Sequence, residues 1–210
     1  RVLRPLHAVI MGSAMELLGA LTGTAVAKTI GKGIVRPELV DQATAMGGIL
    51  AAVLWVQGAT RFGIPVSVSH SLIAGIVGAG IASAGTEAIV AAGLIKVVIA
   101  LAASPFVGFF GGLLLMHILF WGFRRSTPSF VSSLFGRIQI LSAAWMAYAH
   151  GKNDGQNAAG IITFALAIHY GWASEDLVVP LWVLLASAVA ISAGLAIGGW
   201  RVIQTLGMRV

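Results

Sequence analysis

Runs of apolar residues separated by short polar segments extend along the whole chain and predict a bundle of membrane helices. The first run, from about Leu6 to Ile30, holds a single acid, Glu16. Later runs cover Ala43 to Thr60 and Leu177 to Ile203. Each run can span a membrane, since about 20 apolar residues rising about 1.5 Å each cross a hydrocarbon core. The pattern therefore predicts an all-α, polytopic membrane protein.

The apolar run from Ala88 to Phe123 is too long for one crossing. As a single helix it measures about 54 Å, whereas the hydrocarbon core is about 30 Å thick. Proline lacks an N–H and clashes with the preceding turn, so Ser104-Pro105 is the predicted break. We predict that the segment over 88–103 forms a re-entrant hairpin, about 65–103, with a helix over 67–84. A spanning helix then runs to Phe123.

Two predicted loops carry charges of opposite sign. The loop over 124–137 holds three Arg and no acid, whereas 170–176 holds Glu175 and Asp176 and no base. Positively charged loops tend to stay in the cytoplasm. The first loop is therefore the better cytoplasmic candidate, and the second is predicted to lie outside.

A polar, glycine-punctuated run over 149–160 interrupts the hydrophobic segment that begins at Ile138. It contains one Lys, one Asp and two Asn residues: Lys152, Asn153, Asp154 and Asn157. Such side chains are costly at bilayer depth and rarely occur there without a role. Gly151, Gly155 and Gly160 are expected to let the helix break so that carbonyl groups face ions. We therefore predict a functional site in this run.

A second polar segment precedes the helix predicted over 67–84. Pro65 followed by the hydroxyls of Ser67 and Ser69 is a helix-start signature. If that start lies inside the membrane, its free N–H groups and positive dipole end can bind an anion. The alternative is an ordinary helix capped by Ser67 or Ser69. For His70 a packing role is favoured.

Composition agrees with a membrane protein. Hydrophobic residues make up 58% of the 210 residues and charged residues 10%, with a mean hydropathy of +0.95. The net charge of +6 is scattered between apolar blocks, so no nucleic-acid surface is predicted. Without cysteine the chain has no disulfide or thiol chemistry, and no signal peptide is visible in its first residues.

The two ends of the chain contain a short internal repeat. Gly23 to Gly31 aligns with Gly199 to Gly207, with Gly, Val, Thr and Gly identical. A duplicated unit places the partner of Asn153-Asp154 before residue 1 and the partner of 65–70 beyond residue 210. We accordingly divide the chain into the latter part of repeat 1 (1–123), a basic loop (124–137) and the first part of repeat 2 (138–210).

These motifs carry a family resemblance. The run from Gly151 to Gly160 resembles the glycine-x-Asn-Asp signature of the inorganic phosphate transporter (PiT) family, and Pro65 to Ser71 looks like its Pro-Val-Ser-Thr-Thr-His segment. Met15 to Gly19, Lys28 to Ile34 and Gly199 to Gly207 are similar to the accompanying helices. The resemblance implies a secondary transporter with inverted repeats, broken helices and a re-entrant hairpin. Phosphate and coupling cations would lie between the Asn-Asp motifs and the hairpin tips.

The sequence departs from the family pattern at three places. Val68 stands where the family usually has a hydroxyl. The first Asn-Asp motif and the second hairpin are absent, so the complete site needs missing segments of the same longer chain. Gln156-Asn157 replaces the Ala-Asn of many members and looks more like bacterial permeases regarded as proton-coupled. That difference puts sodium in doubt.

The expected site combines the two motifs. An ionised Asp154 beside phosphate would repel it, so either a cation intervenes or Asp154 is protonated. The coupling ion is therefore sodium or a proton, and no other cofactor is expected. Phosphate is assigned to Ser67, Val68, Ser69, Asn153, Asp154 and Gln156. Sodium, in a sodium-coupled version, is assigned to Asn153, Asp154 and Asn157.

Four further residues are possible accessory residues of the site. Glu16 is either a packing carboxyl hydrogen-bonded to a neighbouring helix or part of a cation pathway. Lys152 either adds positive charge or snorkels to the interface. His70 and His150 are favoured as packing residues, although His150 is also a candidate proton relay.

The sequence predicts cation-coupled symport of inorganic phosphate, not an enzyme, at the plasma membrane of a prokaryote. A sulfate permease on the same scaffold is the closest rival. A channel lined by half-helices would not need Asp154. A membrane hydrolase needs a second acid near Asp154, for which Glu16 is the candidate, or an activated nucleophile. Predicted partners are phosphate, the lipid bilayer and a second copy in a homodimer.

Overall fold

The computed structural model describes residues 3–62, 64, 66–172 and 178–208, and within them the chain is helical without a strand. Pro65, the acidic pair Glu175 and Asp176, and the side chains of 199–207 lie outside this description. The all-α prediction is confirmed. The helices are α1 (Pro5–Leu21), α2 (Ala25–Lys32), α3 (Gln42–Arg61), α4 (Val68–Ala84), α5 (Ala91–Phe123), α6 (Pro128–Tyr170) and α7 (Leu181–Met208).

Several of these helices have the length and composition of membrane spans. Three described helices qualify on their own, with qualifying stretches at Gln42–Ala59, Ala91–Phe123 and Pro128–Tyr170. The bent pair formed by α1 and α2 qualifies as a fourth. The predicted polytopic membrane architecture is therefore confirmed.

The first apolar run is not one helix, because it breaks between α1 and α2. The two helices meet at 63°, and Gly23 at the break has a φ of +87°, which favours glycine. The Thr22 hydroxyl donates to the Gly19 carbonyl at 2.7 Å, a local bond that competes with the helix. A broken helix thus exists where the sequence was interpreted as continuous.

The break predicted at Ser104-Pro105 is wrong, since α5 is continuous through Pro105. Proline leaves the carbonyl four residues earlier, that of Leu101, without its amide donor. The Ser104 hydroxyl donates to this carbonyl at 3.2 Å and replaces the lost bond. Helix α4 packs mainly against α3 and also contacts the turn Thr86–Ala88, and the re-entrant hairpin over about 65–103 stays a prediction.

The basic loop predicted over 124–137 is shorter, because α6 already begins at Pro128. Thr127 caps it, with its side chain accepting from the Phe130 N–H at 3.4 Å. The helix then continues to Tyr170, so the predicted break near Asn153-Asp154 is wrong as well. The division into inverted repeats stays a prediction.

The packed part of the molecule is built around α6. Helices α1, α2 and α7 lie along it, whereas α5 extends away with Gly93 as its single buried residue. A buried apolar cluster joins α2 and α6 to the turn that follows α4; its members are Ile30, Ile34, Val35, Ala45, Ile76, Ala88, Ile161 and Phe164. The cluster includes Ala45 of α3 and Ile76 of α4, so it connects these two helices to α2 and α6.

Helix α3 is fixed at its start by two polar contacts. Asp41 Oδ1 accepts from the Thr44 N–H at 2.8 Å and lies 2.7 Å from the Thr44 hydroxyl. These hydrogen bonds, chiefly the one from the hydroxyl, hold the pKa of Asp41 below its usual range. Gln42 donates to the Ala165 carbonyl at 2.7 Å and so ties α3 to α6.

Candidate functional site

The two polar motifs singled out in the sequence meet in the fold. Asp154 and Asn157, one turn apart on α6, face Ser69 in the first turn of α4. The Ser69 hydroxyl donates to Asp154 Oδ1 at 3.3 Å, and the Asn157 amide donates to the Ser69 oxygen at 2.5 Å. We call Ser69, Asp154 and Asn157 the polar triad. It offers hydroxyl, amide and carboxylate groups to an ion or oxyanion.

The other residues at the start of α4 do not face Asp154. Ser67 caps the helix, because its side chain accepts from the His70 N–H at 3.4 Å. The Ser71 hydroxyl donates to the Ser67 carbonyl at 2.8 Å. Ser67, Val68 and His70 are exposed, and an open cleft of about 500 Å³ beside α3 is lined by Ser67, His70 and Trp55. Of the predicted hydroxyls, only Ser69 contacts α6.

His150 on α6 links two carboxyl groups. Its Nδ1 lies 2.7 Å from Oε1 of Glu16 on α1, and its Nε2 lies 3.2 Å from Oδ2 of Asp154. Glu16 is 4% exposed, and its second oxygen, Oε2, has no hydrogen-bond partner among the described residues. The structure thus gives His150 and Glu16 polar partners, and a carboxyl hydrogen-bonded to a neighbouring helix is one of the two interpretations of Glu16. The chain Glu16–His150–Asp154 ends at the polar triad.

Glycines bring these side chains within bonding distance. A Cβ at Gly151 would overlap the backbone of Glu16, and one at Gly19 would overlap the carbonyl of Tyr148. Gly155 packs in the same way against Ala20. Small residues at this spacing let two helices approach closely in a membrane. These glycines therefore join α1 to α6, whereas Gly151 and Gly155 were expected to let α6 break.

Gln156, predicted to bind substrate, lies in the interior with 1% of its surface exposed. Its Nε2 donates to the Thr22 carbonyl at 2.9 Å, and its Oε1 accepts from the Val26 N–H at 3.1 Å. Both ends of the amide thus bind the break between α1 and α2. Sequence reasoning missed this contact, for which Gly23 was the available signal.

Asn153 and Lys152 are exposed on α6 and have no hydrogen-bond or ion-pair partner in the described part of the chain. Around the polar triad, the described residues contain no cluster of three His, Cys, Asp or Glu able to hold a metal ion. Oxygens from Asp154, Asn157 and Ser69 are nevertheless of the kind that alkali cations bind.

Comparison with known proteins agrees with the resemblance seen in the motifs. The model of the phosphate transporter family matches residues 1–210. Probable low-affinity inorganic phosphate transporters of Bacillus subtilis (strain 168) and Rhizobium meliloti (strain 1021) are 40% and 39% identical to the chain. Each comparison covers 100% of this chain but 63% of the relative, so the chain spans less than two thirds of their length.

A solved structure titled "The sodium-dependent phosphate transporter" has the same fold, with a TM-score of 0.79 and 23% sequence identity. The match covers 100% of this chain and 70% of that one. Relatives of this kind are transporters and permeases rather than enzymes, and the predicted integral membrane location is confirmed. The chain belongs to the phosphate transporter family.

Proposed function

We propose that the protein containing this chain carries inorganic phosphate across the membrane together with a cation. Family membership and the names of the relatives support phosphate as the substrate. The observation that carries the proposal is the meeting of Ser69 with Asp154 and Asn157. A hydroxyl, an amide and an acid at one point can hold an oxyanion and its counter-charge together.

Coupling follows from the charge of Asp154. An ionised carboxylate next to phosphate repels it, since two unit charges 4 Å apart interact by about 4 kcal/mol at an effective dielectric constant of 20. Phosphate therefore binds well only after Asp154 has taken up a proton or a cation. Ser69 and Asn157 donate to the phosphate oxygens. The exposed Asn153, next to Asp154, and the N–H groups near Ser67 and Val68 are proposed to extend the anion site. Lys152, two residues before Asp154 on the continuous α6, lies on a different face of that helix.

The proton is the coupling ion that the chain Glu16–His150–Asp154 favours. An imidazole with one nitrogen at each carboxyl can accept a proton on one side and release it on the other. The His150 side chain is 56% exposed, so the packed helices of the described part of the chain leave it open to a proton donor or acceptor. Glu16 can hold the proton while Asp154 releases or takes up its own proton. Neutralising Asp154 in this way prepares the site for phosphate.

Sodium is the second candidate, favoured by the oxygen groups of the polar triad. Asp154 and the side-chain carbonyls of Asn157 and Asn153 can contribute ligands of the hard type that sodium prefers. In this version Asp154 stays ionised. The remaining ligands are proposed to come from parts of the longer protein.

Uptake of labelled phosphate into proteoliposomes tests both proposals. Proton and sodium gradients are imposed separately, and sulfate is added as the competitor. We expect uptake driven by the proton gradient, little uptake with sodium alone, and weak competition by sulfate. Uptake driven only by sodium would overturn proton coupling. Absence of uptake under either gradient would overturn phosphate transport, and equal displacement by sulfate would favour a sulfate permease.

A further inference from the structure

Gln156 belongs to the Asn-Asp motif, but its side chain bonds to the break between α1 and α2. It is buried and reaches from α6 to the break between α1 and α2. A break leaves the last carbonyl groups of one helix and the first N–H groups of the next without intrahelical partners. One side chain here binds a group from each side, the Thr22 carbonyl and the Val26 N–H. Gln156 therefore replaces bonds that a continuous helix would have made.

The same turn of α6 carries Asp154 and Asn157. Because Gln156 lies between them in sequence, a shift of this turn moves the polar triad and the break together. α1 is tied to α6 at a second point by the bond between Glu16 and His150. The angle between α1 and α2 and the placement of Glu16 are thus connected through α6.

We infer that Gln156 is a positioning residue: it sets the angle between α1 and α2 and so keeps Glu16 in register with His150. Its role in transport rests on the proposed function, but its role in the angle does not. A phosphate ligand would need an accessible amide, whereas Gln156 is 1% exposed and bonds to a backbone group at each end of its amide. In this role Gln156 controls the geometry of the helices and does not contact the substrate.

Spin labels on α1 and α2 test the angle directly. The 210 residues contain no cysteine, so Leu18→Cys and Lys28→Cys, both at exposed positions, can be labelled in the full-length protein. Cysteines elsewhere are replaced by Ser. Double electron–electron resonance then measures the label distance with and without inorganic phosphate. We expect Gln156→Leu to broaden or shift the distribution.

Gln42→Ala is the matched control, because Gln42 also donates to a backbone carbonyl of α6 but lies away from the break. It should leave the label distances unchanged. Gln156→Glu keeps the acceptor for Val26 and supplies a second variant if the Leu variant does not fold. Its effect should be smaller and in the same direction. Wild-type distances in both Gln156 variants would overturn the inference.

Kinetics separates positioning from substrate binding. For Gln156→Leu we expect kcat for phosphate uptake to fall about tenfold with KM within about twofold, because Ser69 and Asn157 remain intact. A raised KM with unchanged kcat would mean that Gln156 binds phosphate directly and would overturn the inference. If the parent protein carries no phosphate, the proposed function fails, and the label distances still decide the role of Gln156.

Discussion

Nδ1 of His150 on α6 lies 2.7 Å from Oε1 of Glu16, a buried carboxyl on α1. The two residues are 134 positions apart and meet because Gly151 lets the backbone of Glu16 approach α6 without a side chain between them. The other nitrogen of His150 faces Asp154. An acid on α1 is thereby connected to the polar triad, and the proposed proton coupling would use this connection.

Glu16→Gln should uncouple phosphate uptake from the proton gradient. The amide can still bind His150 but cannot carry a proton. Proton-driven uptake is expected to fall by about a hundredfold or more, the lower end of what a positioned proton-transfer group contributes. Exchange of external for internal phosphate without a net proton flux should fall much less. The two rates are compared in the same proteoliposomes.

Glu87→Gln serves as the control for Glu16→Gln. Glu87 is an exposed acid in the 3₁₀ turn Thr86–Ala88 and takes no part in the chain Glu16–His150–Asp154. Its replacement should leave both rates unchanged. Equal losses of gradient-driven uptake and exchange in Glu16→Gln would count against the relay and favour a packing role for this acid.

Asp154→Asn should abolish the coupling of phosphate to any cation. The amide keeps much of the shape of the site but can be neither protonated nor charged at neutral pH. We expect phosphate uptake to respond to neither a proton nor a sodium gradient, whereas binding of phosphate to the purified protein persists. A variant that retains full gradient-driven uptake would refute the role assigned to Asp154.

Ser69 and Ser71 form a matched pair within one turn of α4. The Ser69 hydroxyl contacts Asp154 and Asn157, whereas the Ser71 hydroxyl donates to its own helix backbone. Ser69→Ala should raise the KM for phosphate by about tenfold, the worth of one hydrogen bond to a charged group, and Ser71→Ala should leave it within about twofold. Similar KM values for the two variants would remove Ser69 from the phosphate site.

Costly polar groups inside apolar runs marked each of the two motifs separately. The family resemblance was then sufficient to predict that Ser69 and Asp154 lie close together, and the two are in contact. It was not sufficient for Glu16 and His150. Their contact depends on the register between α1 and α6, which is set by glycines that were interpreted as helix breakers. The sequence alone does not distinguish a glycine that permits a bend from one that permits close approach of two helices; the packing of the folded chain does.

The helix boundaries were wrong for a related reason. Local signals at Pro105 and Gly155 favoured breaks, but a bonded hydroxyl at Ser104 and close packing on α1 keep both helices continuous. The observed break, at Gly23, lies in an apolar run that has few local sequence signals for a break. Its free backbone groups are satisfied by Gln156 from a distant helix. Such long-range compensation leaves no periodic pattern in the sequence.

Gly151→Ala should destabilise the protein, since the added methyl group would collide with the backbone of Glu16. Overpacking of this kind costs roughly 1–3 kcal/mol. Gly136→Ala, on the same helix, meets open space and should be neutral or stabilising by up to about 1 kcal/mol. Thermal unfolding in detergent compares the two variants. A similar melting temperature for both would show that α1 and α6 are not in close contact.

Ser104 and Pro105 provide a test of how α5 stays continuous. The Leu101 carbonyl accepts from the Ser104 hydroxyl in place of the amide that Pro105 lacks. In Pro105→Ala the restored N–H can donate to the same carbonyl, so the hydroxyl becomes redundant. Ser104→Ala should therefore cost about 0.5–1.5 kcal/mol when Pro105 is present and close to nothing in the Pro105→Ala background.

A double-mutant cycle measured by unfolding in detergent isolates this coupling from the separate effects of each substitution. Ser142→Ala is the control, because the Ser142 hydroxyl donates to the Gln139 carbonyl in a helix without a proline at that turn. Its cost should be small and the same in both backgrounds. If Ser104→Ala costs the same with and without Pro105, the hydroxyl does not replace the missing donor. The continuity of α5 would then depend on its surroundings in the membrane rather than on its own side chains.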